Sequence, residues 1–162
     1  MLQNSLEKFL DSCRESGKKI VFTNGVFDIL HVGHVTYLEK AAEHGDVLIV
    51  GVNDDDSVRR LNKGPERPIN PEDARAKIIA SLKSVDHAVI FGEDTPYELI
   101  QLIQPDVLVK GGDYDPDCTD GSDKRYMVGS DVVRAKGGTV ASIPLVEGFS
   151  TTGIVSKMRA AK

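Results

Sequence analysis

Short apolar runs alternate with longer amphipathic stretches along the whole chain. Leu6, Phe9 and Leu10 lie on one side of a helix that stops near Gly17, because glycine readily takes the left-handed conformation of a helix end. Ile20-Val21-Phe22-Thr23 is an apolar run of strand length, and Val47 to Val52 is a second. Between them Asn24-Gly25 marks a turn, and Val35, Leu38, Ala41 and Ala42 recur at helical spacing up to His44-Gly45. The alternation continues with a helix over Pro71 to Leu82, opened by proline and acids, and a strand over His87 to Phe91. A helix over Thr95 to Ile103 follows, with Thr95 as its cap. Strands over Val107 to Val109 and Thr139 to Ile143 and a closing helix over Ser150 to Met158 complete the pattern.

Strands that are apolar on both faces and alternate with helices predict an α/β fold with a parallel sheet and helices on both faces. Ligands of such sheets bind beyond the carboxyl ends of the strands. The 162 residues are expected to form a single domain, long enough for a core of its own, with residues 1–17 as an N-terminal helix. Gly111 to Asp123 breaks the pattern, being rich in Gly, Asp and Pro. It reads as a surface loop over a site, within an insertion spanning 111–130.

Composition narrows the partners. The 25 acidic and 20 basic side chains leave a net charge of −5, so nucleic acid is not an expected partner, although one basic cleft for phosphates is compatible with it. Cys13 and Cys118 form no CxxC or zinc-type spacing and read as free thiols of a reducing compartment. The N-terminus lacks the basic start and apolar centre of a secretory signal, and no apolar run approaches the roughly 20 residues of a membrane span. The expected location is cytoplasmic, with no membrane partner.

The chemistry concentrates in Thr23-Asn24-Gly25-Val26-Phe27-Asp28-Ile29-Leu30-His31-Val32-Gly33-His34, between the first strand and the first long helix. Glycines let the backbone approach a ligand, and the helix N-terminus offers free N–H groups and partial positive charge. His31 and His34, three residues apart, point to one side of a helical turn and suit a triphosphate. A metal site and a purely structural capping role are the alternatives, and no third His, Cys or nearby Glu completes a metal site. Asn53 follows the second strand, where Asp54-Asp55-Asp56 reads as a helix start. Lys63 and Arg67 stand on a Gly/Pro loop, either as solvated charges or as phosphate ligands. Arg75 either contacts substrate or pairs with Glu72.

The HxGH signature after a strand resembles the cytidylyltransferase-like nucleotidyltransferase superfamily, over about Lys19 to Met158. The resemblance implies a Rossmann-like three-layer fold with a five-stranded parallel sheet, and it implies transfer of a nucleotide to a phosphorylated acceptor. Ser150-Thr151-Thr152 is similar to the family's STT, whose hydroxyls and N–H groups hold the β- and γ-phosphates; alone it is an ordinary helix cap. Val109-Lys110-Gly111-Gly112-Asp113-Tyr114 is similar to the KGGDY of bacterial heptose 1-phosphate adenylyltransferases, and Phe22-Thr23-Asn24-Gly25 and Glu93-Asp94-Thr95-Pro96 point the same way. Glycerol-3-phosphate cytidylyltransferases usually carry arginine five residues before the STT serine, where this chain has Leu145. The segment Asp115 to Ser130 is longer than that subfamily leads one to expect.

The resemblance assigns catalysis to His31, His34 and Lys63, and nucleotide binding to Thr23, Asn24, Gly25, Phe27, Asp28, Gly33, Lys110, Gly111 and Ser150, Thr151 and Thr152. It assigns acceptor binding to Asn53, Arg67, Arg75 and Asp113. Mg²⁺ is expected to arrive with ATP and not in a protein cage. The implied reaction makes ADP-heptose from ATP and D-glycero-β-D-manno-heptose 1-phosphate, a step toward lipopolysaccharide. The alternatives are a glycerol-3-phosphate cytidylyltransferase using CTP, an FMN adenylyltransferase using ATP, or a sensor that binds nucleotide without turnover. A homodimer is expected. Many relatives are fused to a sugar kinase, which 162 residues cannot also contain, so a separate kinase is expected upstream.

Overall fold

The computed structural model describes residues 2–161. In chain order the elements are α1 (Leu2–Glu15), β1 (Ile20–Gly25), α2 (Val32–Ala42), β2 (Val47–Asn53), α3 (Asp55–Arg60) and α4 (Glu72–Ala80). They continue as β3 (His87–Phe91), α5 (Tyr97–Ile103), β4 (Val107–Gly111), α6 (Ser130–Ala135), β5 (Thr139–Ile143) and α7 (Thr151–Ala160). The five strands form one parallel sheet in the order β3-β2-β1-β4-β5. The chain steps outward from β1 on one side, then returns to β4 on the other. The gap between the ends of β1 and β4 is therefore the topological switch point.

Period-two alternation along the strands divides the core into two layers. Ile20, Phe22, Val47, Ile49 and Leu108 pack with Leu6 and Leu10 of α1, Leu99, Ile100 and Ile103 of α5, and Val133 of α6. Val21, Leu48, Val50, Val52, Val107 and Val109 face the other way, onto Leu38 and Ala41 of α2 and Ile79 of α4. Helices thus cover both faces, as the apolar strands require. Among the described residues no helix is long and apolar enough to cross a membrane. Cys13 and Cys118 are free thiols.

One repeated device sets the sheet's starting edge. An aspartate stands immediately before β2, β3 and β4, and each accepts an N–H from the neighbouring strand's beginning. Asp46 accepts from Lys19 at 2.8 Å, Asp86 from Leu48 at 2.8 Å and Asp106 from Ile20 at 2.7 Å. Each bond satisfies a backbone donor at the sheet's starting edge and fixes the register next to it.

Several elements differ from the sequence expectation. β1 runs through Gly25, so the turn lies at Val26 to His31 and not at Asn24-Gly25. α5 begins at Tyr97 after Pro96, with no side-chain cap, so Thr95 does not cap it. α6 has no counterpart in the sequence pattern; its six residues are too few to show helical periodicity. The acidic run does open a helix: Asp54 accepts from the Ser57 N–H at 2.7 Å as the cap of α3. Segment 112–129 is a loop, as its composition suggests, but it is anchored, since Met127 is buried at 1% exposure in the first core layer.

Asp86→Ala and Asp106→Ala should each lower unfolding stability by about 1–2 kcal/mol, because each leaves a strand N–H without its acceptor. Urea titration of the two variants checks this, and an unchanged midpoint in both would contradict it.

Candidate active site

A cleft of about 870 Å³ opens over the carboxyl ends of the strands, centred on the switch point. Its cationic and imidazole groups are His31, His34, Lys63, Arg67, Lys110 and Lys124, and among the described residues Asp94 is the one carboxylate on its border. An acidic chain thus carries a basic cleft, which suits a polyphosphate.

The floor is the turn from β1 into α2. Phe27 sits at φ 50°, a costly conformation for a residue with a large side chain. Its ring lies over Gly25, where an added Cβ would meet it at 3.0 Å, and meets His34 edge-on with centroids 5.4 Å apart. His31 precedes α2 and His34 lies in its first turn. Their rings stack with centroids 3.8 Å apart and planes 24° apart. Gly33 makes this possible, because a Cβ there would lie 2.9 Å from the His31 ring. The spacing of the HxGH signature is thus steric: glycine is the residue that lets the first imidazole fold across the helix end onto the second.

The protonation states follow from burial and partners. Burial, reinforced by the neighbouring His31, lowers the His34 pKa to about 4. His34 Nδ1 accepts the His31 backbone N–H at 3.4 Å, so the neutral ring carries its proton on Nε2. Burial also lowers the His31 pKa. Its Nδ1 is the one buried side-chain nitrogen or oxygen without a hydrogen-bond partner among the described residues. A ligand group would complete it.

The flanking groups come from four other segments. Lys110, at the end of β4, donates to Asn24 Oδ1 at the end of β1, bridging the switch point, and lies 5.9 Å from the Tyr114 ring centroid. Burial lowers its pKa to about 8. Lys63 borders the cleft, its pKa lowered by burial and then by the charge of Arg67. Asn53 ends β2 and donates to Ser57 Oγ at 3.2 Å. Ser150 caps α7, accepting from the Gly153 N–H at 2.9 Å, and Thr151 donates to the Ile29 carbonyl at 3.4 Å. These contacts bring the N-terminus of α7 beside that of α2.

The structure brings Asn24, Gly25, Phe27, His31, Gly33, His34, Asn53, Lys63, Arg67, Lys110, Gly111 and Ser150 to Thr152 to this one cleft. Four residues expected to contact ligand do not border it. Thr23 is fully buried and shares a 2.7 Å hydrogen bond with the Tyr37 hydroxyl. Asp28, 2% exposed, accepts from Arg67 Nε at 2.5 Å and from the Ile69 and Asn70 N–H groups at 2.9 Å. Burial alone would raise its pKa, but the Asn70 and Ile69 N–H groups and the Arg67 guanidinium outweigh it and hold the carboxyl low. Arg75 is fully buried and donates to the carbonyls of Val26 and Asn70 and to Asp55, so its carboxylate partner is Asp55 and not Glu72. Asp113 is exposed outside the cleft, and Tyr114 stands on the border instead. Arg67 does reach the border, with its Nε donating to Asp28.

The border also includes residues to which the sequence assigns no binding role: Tyr37, Lys124 and Tyr126, together with Asp94, Thr95 and Leu145, which the sequence marks only as signature or helix-cap positions. The one signal for Lys124 and Tyr126 is a basic pair beside an aromatic residue, Lys124-Arg125-Tyr126, inside an otherwise acidic loop. No group of three or more His, Cys, Asp or Glu side chains among the described residues is arranged to hold a metal ion.

With this geometry, the chain belongs to the cytidylyltransferase-like family, whose sequence model matches residues 22–157. It is 56% identical over 154 residues to the bifunctional protein HldE of a Nitratiruptor species, covering 95% of this chain and 30% of that protein. It is 57% identical over 150 residues to the bifunctional protein HldE of Azotobacter vinelandii, covering 93% and 30%. The chain therefore spans about 30% of the length of these curated relatives. Among solved structures it resembles the lipopolysaccharide core biosynthesis protein of Thermoplasma volcanium GSS1, with a TM-score of 0.59 and 29% identity over 80% of this chain and 98% of that one. The pantoate-beta-alanine ligase of Francisella tularensis shares the fold, at a TM-score of 0.55 and 19% identity over 94% of this chain and 75% of that one.

Gly33→Ala should separate the stacked imidazoles while leaving the fold in place, at a cost of about 1–3 kcal/mol for the forced repacking. Proton NMR of the histidine rings checks this: the mutual ring-current shifts of His31 and His34 disappear while the dispersed methyl signals of the core remain. Retention of those shifts would contradict the steric account.

Proposed function

We propose that this chain is an adenylyltransferase that transfers AMP from MgATP to D-glycero-β-D-manno-heptose 1-phosphate, giving ADP-heptose and pyrophosphate. The observation that carries the reading is the stacked, neutral pair His31 and His34 at the N-terminus of α2, beside Lys63 and Lys110 and the N-terminus of α7. Two helix N-termini, two imidazoles and two lysines match a chain of phosphates gaining charge on its oxygens. The KGGDY-like segment at Lys110 to Tyr114 and the relatives named HldE support the heptose acceptor. Leu145 in place of an arginine supports ATP over CTP.

In this mechanism an oxygen of the acceptor's phosphate attacks the α-phosphorus of ATP in line. The new O–P bond forms as the bond to the bridging oxygen breaks, and pyrophosphate leaves with that electron pair. The attacking phosphate is already ionised near neutral pH, so no general base is needed and catalysis is positioning and charge stabilisation. His34 Nε2–H donates to an α-phosphate oxygen, and His31 Nδ1 gains from the triphosphate the partner it lacks. Lys63 meets the charge that grows on the leaving group, and the Ser150 to Thr152 turn holds the phosphate tail. Mg²⁺ enters as part of the nucleotide substrate, since the cleft's donors are cations and neutral groups and it offers the metal a single carboxylate.

A kinase-class reaction upstream supplies the acceptor's 1-phosphate in this reading. The relatives are named bifunctional, and the described residues, 2–161, hold one transferase sheet. A cytoplasmic homodimer completes the reading.

The deciding assay is pyrophosphate release with Mg²⁺, crossing ATP and CTP with heptose 1-phosphate, glycerol 3-phosphate and FMN. Release with ATP and heptose 1-phosphate alone is expected, and His34→Ala should reduce it at least about 10²-fold. Release only with CTP and glycerol 3-phosphate, or with ATP and FMN, would overturn the acceptor. ATP binding without release would point to a nucleotide sensor.

The pH profile follows from the same groups. His34 acts as a neutral donor, so that form is lost only as pH falls through about 4, and Lys110 loses its charge as pH rises through about 8. The kcat/KM for ATP, which reports the free enzyme, should hold level across about pH 6–7 and decline above about 8. A decline centred near about 6.5, the ordinary histidine value, would contradict the neutral-imidazole account.

A further inference from the structure

The cleft has two chemically different halves. One is built of helix N-termini, imidazoles and Lys110, and suits phosphates. The other is formed where β2 and β3 end, with Asn53 paired to Phe91, Asp94 and Thr95 following β3, and Tyr126, tied through Asp131 to Tyr97, bringing Lys124 to the same border. Asp94, the one carboxylate on the described border and already paired with Arg60, and Lys124 give this half an acceptor and a donor side by side, which suits a hydroxyl-bearing body. One of the Asp94 oxygens accepts from Arg60 Nε at 2.6 Å, and the other has no partner among the described residues and can accept a hydroxyl.

Lys124 and Tyr126 are presented by a loop whose other residues are occupied in holding it. Arg125 pairs with Asp123 at 2.7 Å and Asp115 at 3.7 Å, its carbonyl accepts the Asp115 N–H at 3.0 Å, and Met127 is buried in the core. Lys124, between these anchors, makes no ion pair or hydrogen bond among the described residues and faces the cleft. The Tyr126 hydroxyl donates to Asp131 Oδ1 at 3.3 Å, and Tyr97 donates to Oδ2 of the same carboxylate at 3.2 Å. With its hydroxyl tied back to α6, Tyr126 offers the cleft its ring, a surface that packs against sugar C–H groups.

We propose that this wall selects the acceptor: Asp94, Thr95 and Lys124 hydrogen-bond the hydroxyls of a sugar, Tyr126 packs on its carbon skeleton, and Asp131 is the positioning residue. The inference rests on the transferase reading and adds the residues that discriminate among acceptors. A wall built to hydrogen-bond hydroxyls penalises a substrate that lacks one, because its polar groups are then left unpaired.

Steady-state kinetics of the full chain, varying ATP and acceptor separately, test it with Lys124→Met, Thr95→Val and Asp131→Asn. Lys124→Met and Thr95→Val should raise the acceptor KM at least about tenfold and leave the ATP KM within about twofold. Both should also shrink the wild-type preference for heptose 1-phosphate over the shorter mannose 1-phosphate. Asp131→Asn should move the acceptor KM in the same direction by less. Acceptor constants that stay put, or that rise in step with those for ATP, would overturn the proposal. If the wild type uses glycerol 3-phosphate or FMN instead, the heptose assignment fails, and a raised KM for that acceptor would still support the wall. If no acceptor is turned over, calorimetry with mannose 1-phosphate decides: weaker binding by Lys124→Met supports the wall, and equal binding by the two proteins would overturn it.

Discussion

The buried carboxylate of Asp28 is the joint on which the cleft depends. It takes the Arg67 guanidinium and two backbone N–H groups from the loop after α3, and the Asn70 side chain returns a hydrogen bond of 2.5 Å to the Asp28 carbonyl. Arg75 closes the same joint from α4, reaching the Val26 and Asn70 carbonyls and Asp55. A buried charge pair is stabilising only when its remaining donors and acceptors are satisfied, and the Asp28 carboxylate is satisfied by the Ile69 and Asn70 N–H groups beside Arg67 Nε. The turn that carries the imidazoles and the loop that carries Lys63 are therefore tied to each other, as positioning catalysis requires.

That joint also separates what the sequence makes legible from what it hides. The parallel α/β sheet follows from strands apolar on both faces, and the two core layers show why: Val21 and Phe22 are neighbours in sequence and sit on opposite sides. His31, Gly33, His34 and Ser150 to Thr152 are legible because they match the family's HxGH and STT signatures; taken alone, hydroxyl residues at a helix start are ordinary caps, as Ser150 also is here. Asp28, Arg75 and Thr23 read as ligand contacts in the sequence and are struts in the fold. Their types and their place beside the motif are those of binding residues; only the three-dimensional partner reveals the difference, and Asp28 and Arg67 are 39 positions apart. Lys124 and Tyr126 are hidden for the opposite reason, because a loop without periodicity gives no direction to its side chains.

The aspartates before β2, β3 and β4 are a signal that single-residue reading overlooks. Each looks like ordinary loop polarity, yet their repetition at the same offset from three apolar runs has a single physical cause. Parallel strands leave backbone donors at their starting edge, and the residue just before the neighbouring strand is the one placed to accept them. Placing acids at that edge also keeps carboxylates away from the carboxyl ends, where phosphates are expected to bind.

The electrostatics of the cleft follow from the same division of labour. A chain with net charge −5 gathers cations where the strands end and places many of its acids at the opposite edge, the loop tips and the helix starts. Burial keeps the imidazoles neutral, so part of the cleft's attraction for anions comes from helix N-termini and oriented N–H groups and not from full charges. Neutral donors cost less to bury than charged ones, and they stack without mutual repulsion at a centroid distance of 3.8 Å. Two protonated rings at that distance would repel each other strongly. Burial is the main cause of both lowered pKa values, and the stack adds the charge of His31 at His34, so Gly33, by permitting the stack, reinforces the neutral state of the second ring.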